Sequence, residues 1–370
     1  MSQELELFFQ SIKSEETRKN YRNTLKLYGY HNLTITDAKT IETQIINHII
    51  KLKGQGKSWG VIHNHVSALK AYYQINDVVL NIRKIGKFMP EQRKVRKDRA
   101  YTHQEISKML EIADSRLRVV ILLLVSSGMR IGAISQLKLK HVEDYQIMAY
   151  ENTKEEYFTF MTPECKKAID DYLDMRARYG EKLGDDSPLI REEFNIRGIK
   201  KAKAKHIATK TLQFKLYHLS KRAGTHNGEV ALAHGFRKFF TTQSVNSKVN
   251  PEIREMLLGH KIGLASAYYR PSEEDMYDEY QKAVNNLTIN EENRLKLKVQ
   301  MLESEKTNFE KLDAKIDALA RHFLKNNVRR GITADDARPL TDEEIEHELL
   351  MRRECARARR LTEKKLLQEL

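Results

Sequence analysis

The run Val119-Val120-Ile121-Leu122-Leu123-Leu124-Val125 decides how the middle of this chain folds. It closes the strongly apolar stretch 116–125, which predicts a central buried helix. The run is far shorter than the roughly 20 apolar residues that a membrane-spanning helix needs. The predicted helix leads into Gly128-Met129-Arg130-Ile131-Gly132, where an arginine leaves the apolar core. Such an arginine could simply reach for water, or it could serve a site at the end of the helix.

Two strand-like segments follow, and they predict a hairpin in an otherwise helical region. Residues 146–150 and 157–161 are the best strand candidates, and residues 151–156 form the turn, with Lys154 between the two runs. The fold class predicted for the whole chain is mainly α. It comprises a small all-helical N-terminal domain, a mostly helical second domain with a small β-hairpin or sheet, and a helical, coiled-coil-like C-terminal extension.

The charge of the chain predicts a polyanionic partner. The 370 residues carry a formal charge of +14, and the pI is near 9.4, which favours nucleic acid. Residues 290–370 contain 18 Lys and Arg against 17 Asp and Glu, so almost all of the excess lies in the first part of the chain. One basic cluster there, predicted to be a DNA-contacting loop, consists of Lys200, Lys201, Lys203 and Lys205.

Domain boundaries follow from composition and breaks in pattern. Residues 1–88 predict a helical DNA-binding domain, residues 89–100 a basic linker, residues 101–288 the second domain and residues 289–370 the extension. The linker could be merely solvated. Because it joins two candidate DNA-binding domains, we predict instead that it lies along the DNA backbone. Its predicted DNA-binding residues are Arg93, Lys94, Arg96 and Lys97.

Cysteine usage and the N-terminus indicate the compartment. Cys165 and Cys355 are far apart in sequence, which argues against a disulfide scaffold and a cysteine-rich zinc site. The first residues, Met1-Ser2-Gln3-Glu4-Leu5, show no basic region followed by an apolar one. We therefore expect a cytoplasmic protein, nucleoid-associated if its source is prokaryotic, without membrane contact.

The side chains that can carry chemistry suit attack on a phosphodiester. An arginine fork can hold two non-bridging phosphate oxygens, and a tyrosine can form a covalent intermediate. Arg237 stands three residues after His234, which puts both on one helical face. A phenol, with its pKa of about 10, needs a proton acceptor, and His234 is the candidate. The predicted catalytic residues are Arg130, Lys154, His234, Arg237, His260 and Tyr269.

The order Arg…Lys…His-x-x-Arg…His…Tyr, with Leu258-Gly259-His260 nine residues before Tyr269, closely resembles the tyrosine recombinases, the phage-integrase-like family. The resemblance spans about residues 10 to 285. It implies a site-specific DNA recombinase or integrase that cuts and rejoins double-stranded DNA through a 3′-phosphotyrosyl intermediate, with no metal or nucleotide cofactor. It also implies a homo-tetramer on paired DNA sites, and Lys154 as the general acid that protonates the leaving 5′ oxygen.

One position departs from the family pattern. Where the family commonly has an acidic residue three places after the first arginine, which buttresses that arginine, this chain has Ala133. Ser135 and Gln136 are the candidate substitutes. The departure keeps open a catalytically silent DNA-binding protein of the same fold, and related chemistry keeps open a type IB topoisomerase-like relaxing enzyme.

Two further alternatives concern single features. Tyr268 competes with Tyr269 for the role of nucleophile, and the nine-residue offset from His260 favours Tyr269. In the extension, apolar residues recur at intervals of seven, which predicts helix pairing and self-association. An ordinary packed amphipathic helix would show the same spacing. The repeated residues are Leu295, Leu302, Phe309, Ile316 and Phe323, with Leu312 and Leu319 at the paired heptad position.

Overall fold

The structure, a computed structural model, describes residues 3–92, 98–192, 204–261, 263 and 269–326, and near the C-terminus 341–344, 346–347 and 350–351. The chain forms two compact units, Met1–Lys97 and Asp98–Leu370. The predicted DNA-binding residues Arg93, Lys94, Arg96, Lys97, Lys200, Lys201 and Lys203, and the competing Tyr268, lie outside the described residues.

All the regular secondary structure described in the first unit is helical. Side-chain oxygens of Ser14 and Asp37 accept backbone N–H groups at the starts of its second and third helices, which ends the preceding loops. The apolar faces close over one core around Phe8, Ile45 and Tyr72. The helices are α1 (Gln3–Ser11), α2 (Glu15–Tyr28), α3 (Ala38–Gly54), α4 (Trp59–Ile75) and α5 (Ile82–Gly86).

The second unit wraps helices around the predicted apolar helix. That helix, α7 (Ser115–Ser127), is buried along almost its whole length and packs against α9 (Pro163–Arg178), α11 (Leu232–Asn246) and α13 (Glu273–Leu287). None of the helices described in the chain has both the length and the apolar character needed to cross a membrane. The helices are α6 (His103–Glu111), α7 (Ser115–Ser127), α8 (Ile131–Ile134), α9 (Pro163–Arg178), α10 (Thr209–Arg222), α11 (Leu232–Asn246), α12 (Pro251–Leu257), α13 (Glu273–Leu287) and α14 (Glu291–Asn326).

A small antiparallel sheet lies beside this helical core. Its strands are β1 (Val142–Glu143), β2 (Gln146–Ala149) and β3 (Tyr157–Phe160), in the order β1-β2-β3. The predicted fold class and the hairpin are confirmed. β1 was not predicted, because two residues carry too little pattern to reveal a strand. β2 ends one residue earlier than expected because Tyr150 has a φ of 56°, which leaves the extended conformation.

The end of the predicted linker packs as part of the second unit. The Arg99 guanidinium donates hydrogen bonds to Glu105 (Nη2 to Oε1, 2.6 Å) and to Glu229 (Nε to Oε2, 3.0 Å). Its backbone N–H donates to the Glu229 carbonyl at 3.1 Å. Glu105 also completes a capping box with Thr102 at the start of α6. Arg99 therefore joins the start of α6 to the segment before α11, and its charge is balanced by carboxylates.

Gly128 ends α7 in a conformation that only glycine adopts easily. Its φ is 62°, in the left-handed region. A Cβ at this position would lie 2.6 Å from the Phe240 ring and 2.9 Å from Leu258. The absence of a side chain lets the end of α7 approach both α11 and the residues after α12.

We expect Gly128→Ala to lower the stability of the second unit. The left-handed conformation costs an L-residue about 1–2 kcal/mol, and the overlap with Phe240 adds about 1–3 kcal/mol. For a unit of this size the unfolding temperature should fall by roughly 5–15 °C in calorimetry of the full chain. Gly184→Ala is the control, because Gly184 lacks a positive φ and a Cβ there meets nothing within 4 Å. Equal unfolding temperatures for the two variants would contradict the assignment.

Candidate active site

A cleft of about 340 Å³ in the second unit brings together three of the predicted catalytic residues. Arg130, His234 and Arg237 line it, with apolar residues that include Met129 and Leu232. Arg130 follows the end of α7 and is the N-cap of α8, so its side chain leaves the core and is exposed. The two arginines thus face one cavity from two different helices.

The first turns of α11 supply His234 and Arg237. His234 is exposed, whereas Arg237, one turn later, is only 5% exposed. Although its ring is exposed at the surface, the protein around it still desolvates it in part, and this desolvation and nearby positive charges lower the pKa of His234, while Asp98 opposes them. The charges are those of Lys238, Arg237 and Arg130. His234 is therefore neutral at neutral pH and able to accept a proton.

Arg237 connects three segments through its guanidinium. Nη1 donates to the Gly128 carbonyl at 2.7 Å, and Nη2 donates to the Leu258 carbonyl at 2.6 Å. Nη2 also lies 2.7 Å from Nε2 of His260. Burial, and then the charge of Arg130, lower the pKa of Arg237. An arginine nevertheless stays protonated in proteins, so the cleft holds a fixed, oriented positive charge.

His260 reaches this guanidinium because of how α12 ends. Gly259 has a φ of 67°, its N–H donates to the Met256 carbonyl at 2.8 Å, and the His260 N–H donates to the Glu255 carbonyl at 2.9 Å. These two bonds form a Schellman motif, which reverses the chain at the end of a helix. A Cβ on Gly259 would also lie 2.5 Å from the Tyr157 ring. The Leu-Gly-His sequence thus combines a helix end with close packing against β3.

Glu255 is a member of the site that the sequence did not reveal. Its Oε2 lies 2.6 Å from Nδ1 of His260, and its Oε1 accepts from Nη2 of Arg254 at 3.1 Å. Burial raises the pKa of Glu255, but the hydrogen bonds from His260 and Arg254 more than offset that effect, and the pKa is lowered. The signal was present in the sequence, since a Schellman motif places the residue after its glycine beside a residue one turn inside the helix.

Tyr150 and Tyr157 also lie near the arginines and were not predicted. Burial raises the pKa of both hydroxyls, while the charges of Arg130 and Arg237 oppose it. The Tyr157 hydroxyl is enclosed and makes no hydrogen bond of ordinary geometry with the described residues. The Tyr150 hydroxyl would lie 3.6 Å from a Cβ placed on Gly132, close to the backbone that carries Arg130.

Neither Ser135 nor Gln136, the two candidate substitutes, replaces the acidic residue that is missing at Ala133. Ala133 is buried, with 1% exposed. The Ser135 hydroxyl donates to the Gly132 carbonyl at 2.9 Å and lies 2.7 Å from the Thr209 hydroxyl. Gln136 is exposed. Within the described part of the chain neither side chain hydrogen-bonds Arg130, whereas Arg237 is held by the Gly128 and Leu258 carbonyls.

Lys154 lies in an ordered turn between β2 and β3. Asn152 adopts a φ of 62°, and the Thr153 N–H and hydroxyl both donate to the Tyr150 carbonyl, at 3.0 and 2.8 Å. The Lys154 side chain is exposed and makes no hydrogen bond or ion pair with any residue that the structure describes. The structure therefore does not bring Lys154 into contact with the arginine cluster.

Tyr269 and Lys205 complete the predicted set. The Tyr269 ring is partly buried against the core of the second unit, and its hydroxyl has no hydrogen bond to the described residues. Lys205 is exposed, and its carbonyl accepts from the Glu192 N–H at 3.0 Å. The described residues contain no group of three or more His, Cys, Asp or Glu able to hold a metal ion. The site thus has an assembled part (Arg130, His234, Arg237 and His260) and two residues, Lys154 and Tyr269, whose side chains make no hydrogen bond to it.

Comparison with known proteins adds independent information. Residues 99–275 match the model of the Phage integrase family. The tyrosine recombinase XerA of Pyrococcus furiosus is 23% identical over 277 residues, which cover 71% of this chain and 88% of that protein.

Two solved structures show the same fold. The Tn1549 transposon integrase in complex with transposon right end DNA is similar with a TM-score of 0.54 at 15% identity, over 75% of this chain and 98% of that chain. A lambda integrase dimer bound to a COC′ core site is similar with a TM-score of 0.52 at 16% identity, over 72% and 76% of the two chains.

Proposed function

The chain belongs to the phage integrase family and is a tyrosine-type site-specific recombinase, and on that premise we propose that it cuts and rejoins DNA through a 3′-phosphotyrosyl bond on Tyr269. The observation that supports this most is the shared cleft of Arg130, His234 and Arg237, to which Arg237 also ties His260. Arg130 and Arg237 supply positive charge and hydrogen-bond donors in one cleft that is large enough to admit a phosphate group. The proposed reaction uses neither a metal ion nor a nucleotide.

The proposed step is an in-line displacement at phosphorus. The Tyr269 oxygen forms a bond to the scissile phosphorus, and the bond from phosphorus to the 5′ oxygen breaks. His234 accepts the phenolic proton, and Lys154 donates a proton to the departing 5′ oxygen. Arg130, Arg237 and His260 stabilise the charge on the non-bridging oxygens. A 5′ hydroxyl from a partner duplex can then reverse the step, since the phosphodiester energy is retained.

The proposal requires Lys154 and Tyr269 to meet the assembled residues at the phosphate. Lys154 is in a surface turn, and the Tyr269 hydroxyl has no hydrogen bond to the described residues. Within the part of the chain that the structure describes, neither the Lys154 ammonium nor the Tyr269 hydroxyl is therefore hydrogen-bonded to another group. In this scheme DNA connects Lys154 and Tyr269 with the arginine cluster, because the scissile phosphate and its leaving oxygen are the groups that both residues must contact.

We expect Tyr269→Phe to abolish the covalent protein–DNA adduct on a nicked suicide substrate, while DNA affinity stays near normal, because the change removes one hydroxyl and no charge. The assay is run in EDTA, since the proposed reaction uses no metal ion. Tyr268→Phe is the matched control and should keep the adduct. Loss of the adduct in the Tyr268 variant alone would move the nucleophile to Tyr268. Relaxation of a supercoiled circle without exchange between two sites would instead favour a topoisomerase-like function.

Arg237→Lys should reduce the rate of adduct formation by about 100- to 1,000-fold, the usual effect of losing one donor to a developing oxyanion. A lysine cannot bridge the Gly128 and Leu258 carbonyls and also present a planar fork to phosphate. Arg178→Lys, at the exposed end of α9, is the control and should cleave at the wild-type rate. An unchanged rate for Arg237→Lys would exclude the bidentate role.

The lowered pKa of His234 predicts how cleavage depends on pH. A general base acts in its neutral form, and the neutral form of a histidine with a lowered pKa persists below the ordinary value of about 6.5. The adduct rate should therefore hold as the pH falls through 6.5 and decline only at lower pH. His234→Gln should be slow and should lack that decline. A midpoint above 6.5 in the wild type would contradict the assignment.

DNA binding and assembly are the remaining parts of the proposal. The basic residues Arg93, Lys94, Arg96, Lys97, Lys200, Lys201, Lys203 and Lys205 are assigned to the DNA backbone, on the strength of their charge. Assembly is assigned to a homo-tetramer on two DNA sites.

The long helix α14 is assigned to self-association. Six apolar side chains of its heptad stripe (Leu295, Leu302, Phe309, Leu312, Ile316 and Leu319) are 46–59% exposed. Phe323 lies beyond the described side chains. An isolated helix in water gains little from its own hydrogen bonds, so a 36-residue helix with an exposed apolar stripe needs a partner. A second copy supplies an identical stripe, as heptad pairing requires.

Truncation after residue 299 should weaken self-association and leave the DNA contacts intact. The cut keeps Ile289 and Leu297, which pack against the core, and removes 15 Lys and Arg with 15 Asp and Glu. The slope of log affinity against log salt should therefore stay unchanged, whereas each lost phosphate contact would flatten it by about 0.9. Sedimentation should show a smaller assembly.

Two full-length variants serve as controls for the truncation. Phe309→Gln with Ile316→Gln should reproduce the smaller assembly, because both lie in the stripe. Thr307→Gln, on another face of α14, should not. A flattened salt slope with an unchanged assembly would show that the extension binds DNA instead.

A further inference from the structure

We propose that Glu255 is a positioning residue for His260, and that its carboxylate sets which ring nitrogen of His260 carries the proton. The proposal rests on the proposed function of the site. Three side chains stand in line: Oε2 of Glu255 lies 2.6 Å from Nδ1 of His260, and Nε2 of His260 lies 2.7 Å from Nη2 of Arg237. Each distance is that of a strong hydrogen bond.

The chemistry of the two neighbours determines the proton positions. The lowered pKa of Glu255 keeps its carboxylate ionised at neutral pH, so it can only accept. Arg237 can only donate. Nδ1 of His260 must therefore carry a hydrogen, and Nε2 must offer a lone pair. The imidazole between them is held as one tautomer and in one ring orientation.

The backbone and Arg254 hold Glu255 in place. The His260 N–H donates to the Glu255 carbonyl, so the Schellman motif fixes the two residues to each other independently of their side chains. Arg254 donates to the other carboxylate oxygen through Nε at 3.2 Å and Nη2 at 3.1 Å. One oxygen of Glu255 thus contacts Arg254, and the other contacts His260.

An arriving phosphate changes the contact between Arg237 and His260. A phosphate oxygen competes with Nε2 of His260 for the Nη2 donor of Arg237. For His260 to bind the phosphate as well, Nε2 must take a proton from solvent and become a donor. Nδ1 still donates to Glu255, so the ring is then cationic, and the carboxylate balances that charge. Glu255 thereby prepares His260 for its contact with phosphate without touching the DNA.

Substitutions at Glu255 separate charge from hydrogen bonding. In Glu255→Gln the amide oxygen can still accept from Nδ1, but the balancing charge is lost; Glu255→Ala loses both. At saturating nicked DNA we expect Glu255→Ala to slow adduct formation on the order of 10- to 100-fold, less than the roughly 100- to 1,000-fold effect of losing a donor outright. Glu255→Gln should fall between it and the wild type. Glu252→Gln, an equal charge change on the same helix, should have no effect.

A double-mutant cycle with His260→Ala tests whether Glu255 acts through His260. In the His260→Ala background, Glu255→Gln should cause no further loss, because the interacting partner is gone. An equal loss in both backgrounds would show that Glu255 acts through folding or through another residue, and would overturn the proposal. Wild-type rates in both Glu255 variants, with active wild-type enzyme, would overturn it as well.

Nitrogen-15 NMR of the full chain with labelled histidine tests the tautomer without any reaction. The His260 signals are identified by their absence in His260→Gln. We expect a protonated Nδ1 and an unprotonated Nε2 in the wild type, and loss of that preference in Glu255→Ala. A wild-type ring protonated mainly at Nε2 would refute the assignment. If wild-type enzyme forms no adduct, the proposed function fails, and this spectrum still decides the role of Glu255.

Discussion

The rest of the site depends on the hydrogen bonds that the buried guanidinium of Arg237 makes. Removing a charge from water is costly unless the group is fully hydrogen-bonded, and here the carbonyls of Gly128 and Leu258 accept from it. Those carbonyls are free to do so because each lies just past the end of a helix, where backbone acceptors lack helical partners. The arginine therefore gains its stabilisation from the two helix ends that also deliver Arg130 and His260.

Two glycines make this convergence sterically possible. Gly128 lets the end of α7 approach Phe240, and Gly259 lets the end of α12 approach Tyr157; both adopt a positive φ. A side chain at either position would separate the helix ends that share Arg237. Glycine thus occurs at the two positions where the backbone must approach other residues closely. The buried apolar helix α7 supports the first of these positions.

The parts of this structure that follow local rules could be predicted from the sequence. The apolar run predicts α7, and the spacing of His234 and Arg237 predicts their shared helical face. Glu255 was missed because its role comes from the reversal of the chain after α12, a three-dimensional consequence of Gly259. Tyr150 and Tyr157 were missed because they reach the arginines through packing between the sheet and helix ends. The spacing between His260 and Tyr269 predicts which tyrosine is the nucleophile but carries no information about where its hydroxyl lies.

Some positions in the site could be predicted from the sequence and others could not, and this difference corresponds to a physical difference between two groups of residues. A buried positive charge must be anchored before any phosphate arrives, because it would otherwise be unstable, and Arg237 is anchored by backbone carbonyls. A nucleophile and a general acid have no such requirement, since each needs its partner only while a phosphorus–oxygen bond forms or breaks. The exposed Lys154 and the hydroxyl of Tyr269, which has no hydrogen bond to the described residues, fit that second class. In the proposed reaction, anchoring the charge and leaving the reacting groups without a hydrogen-bond partner restricts cleavage to moments when DNA itself completes the site.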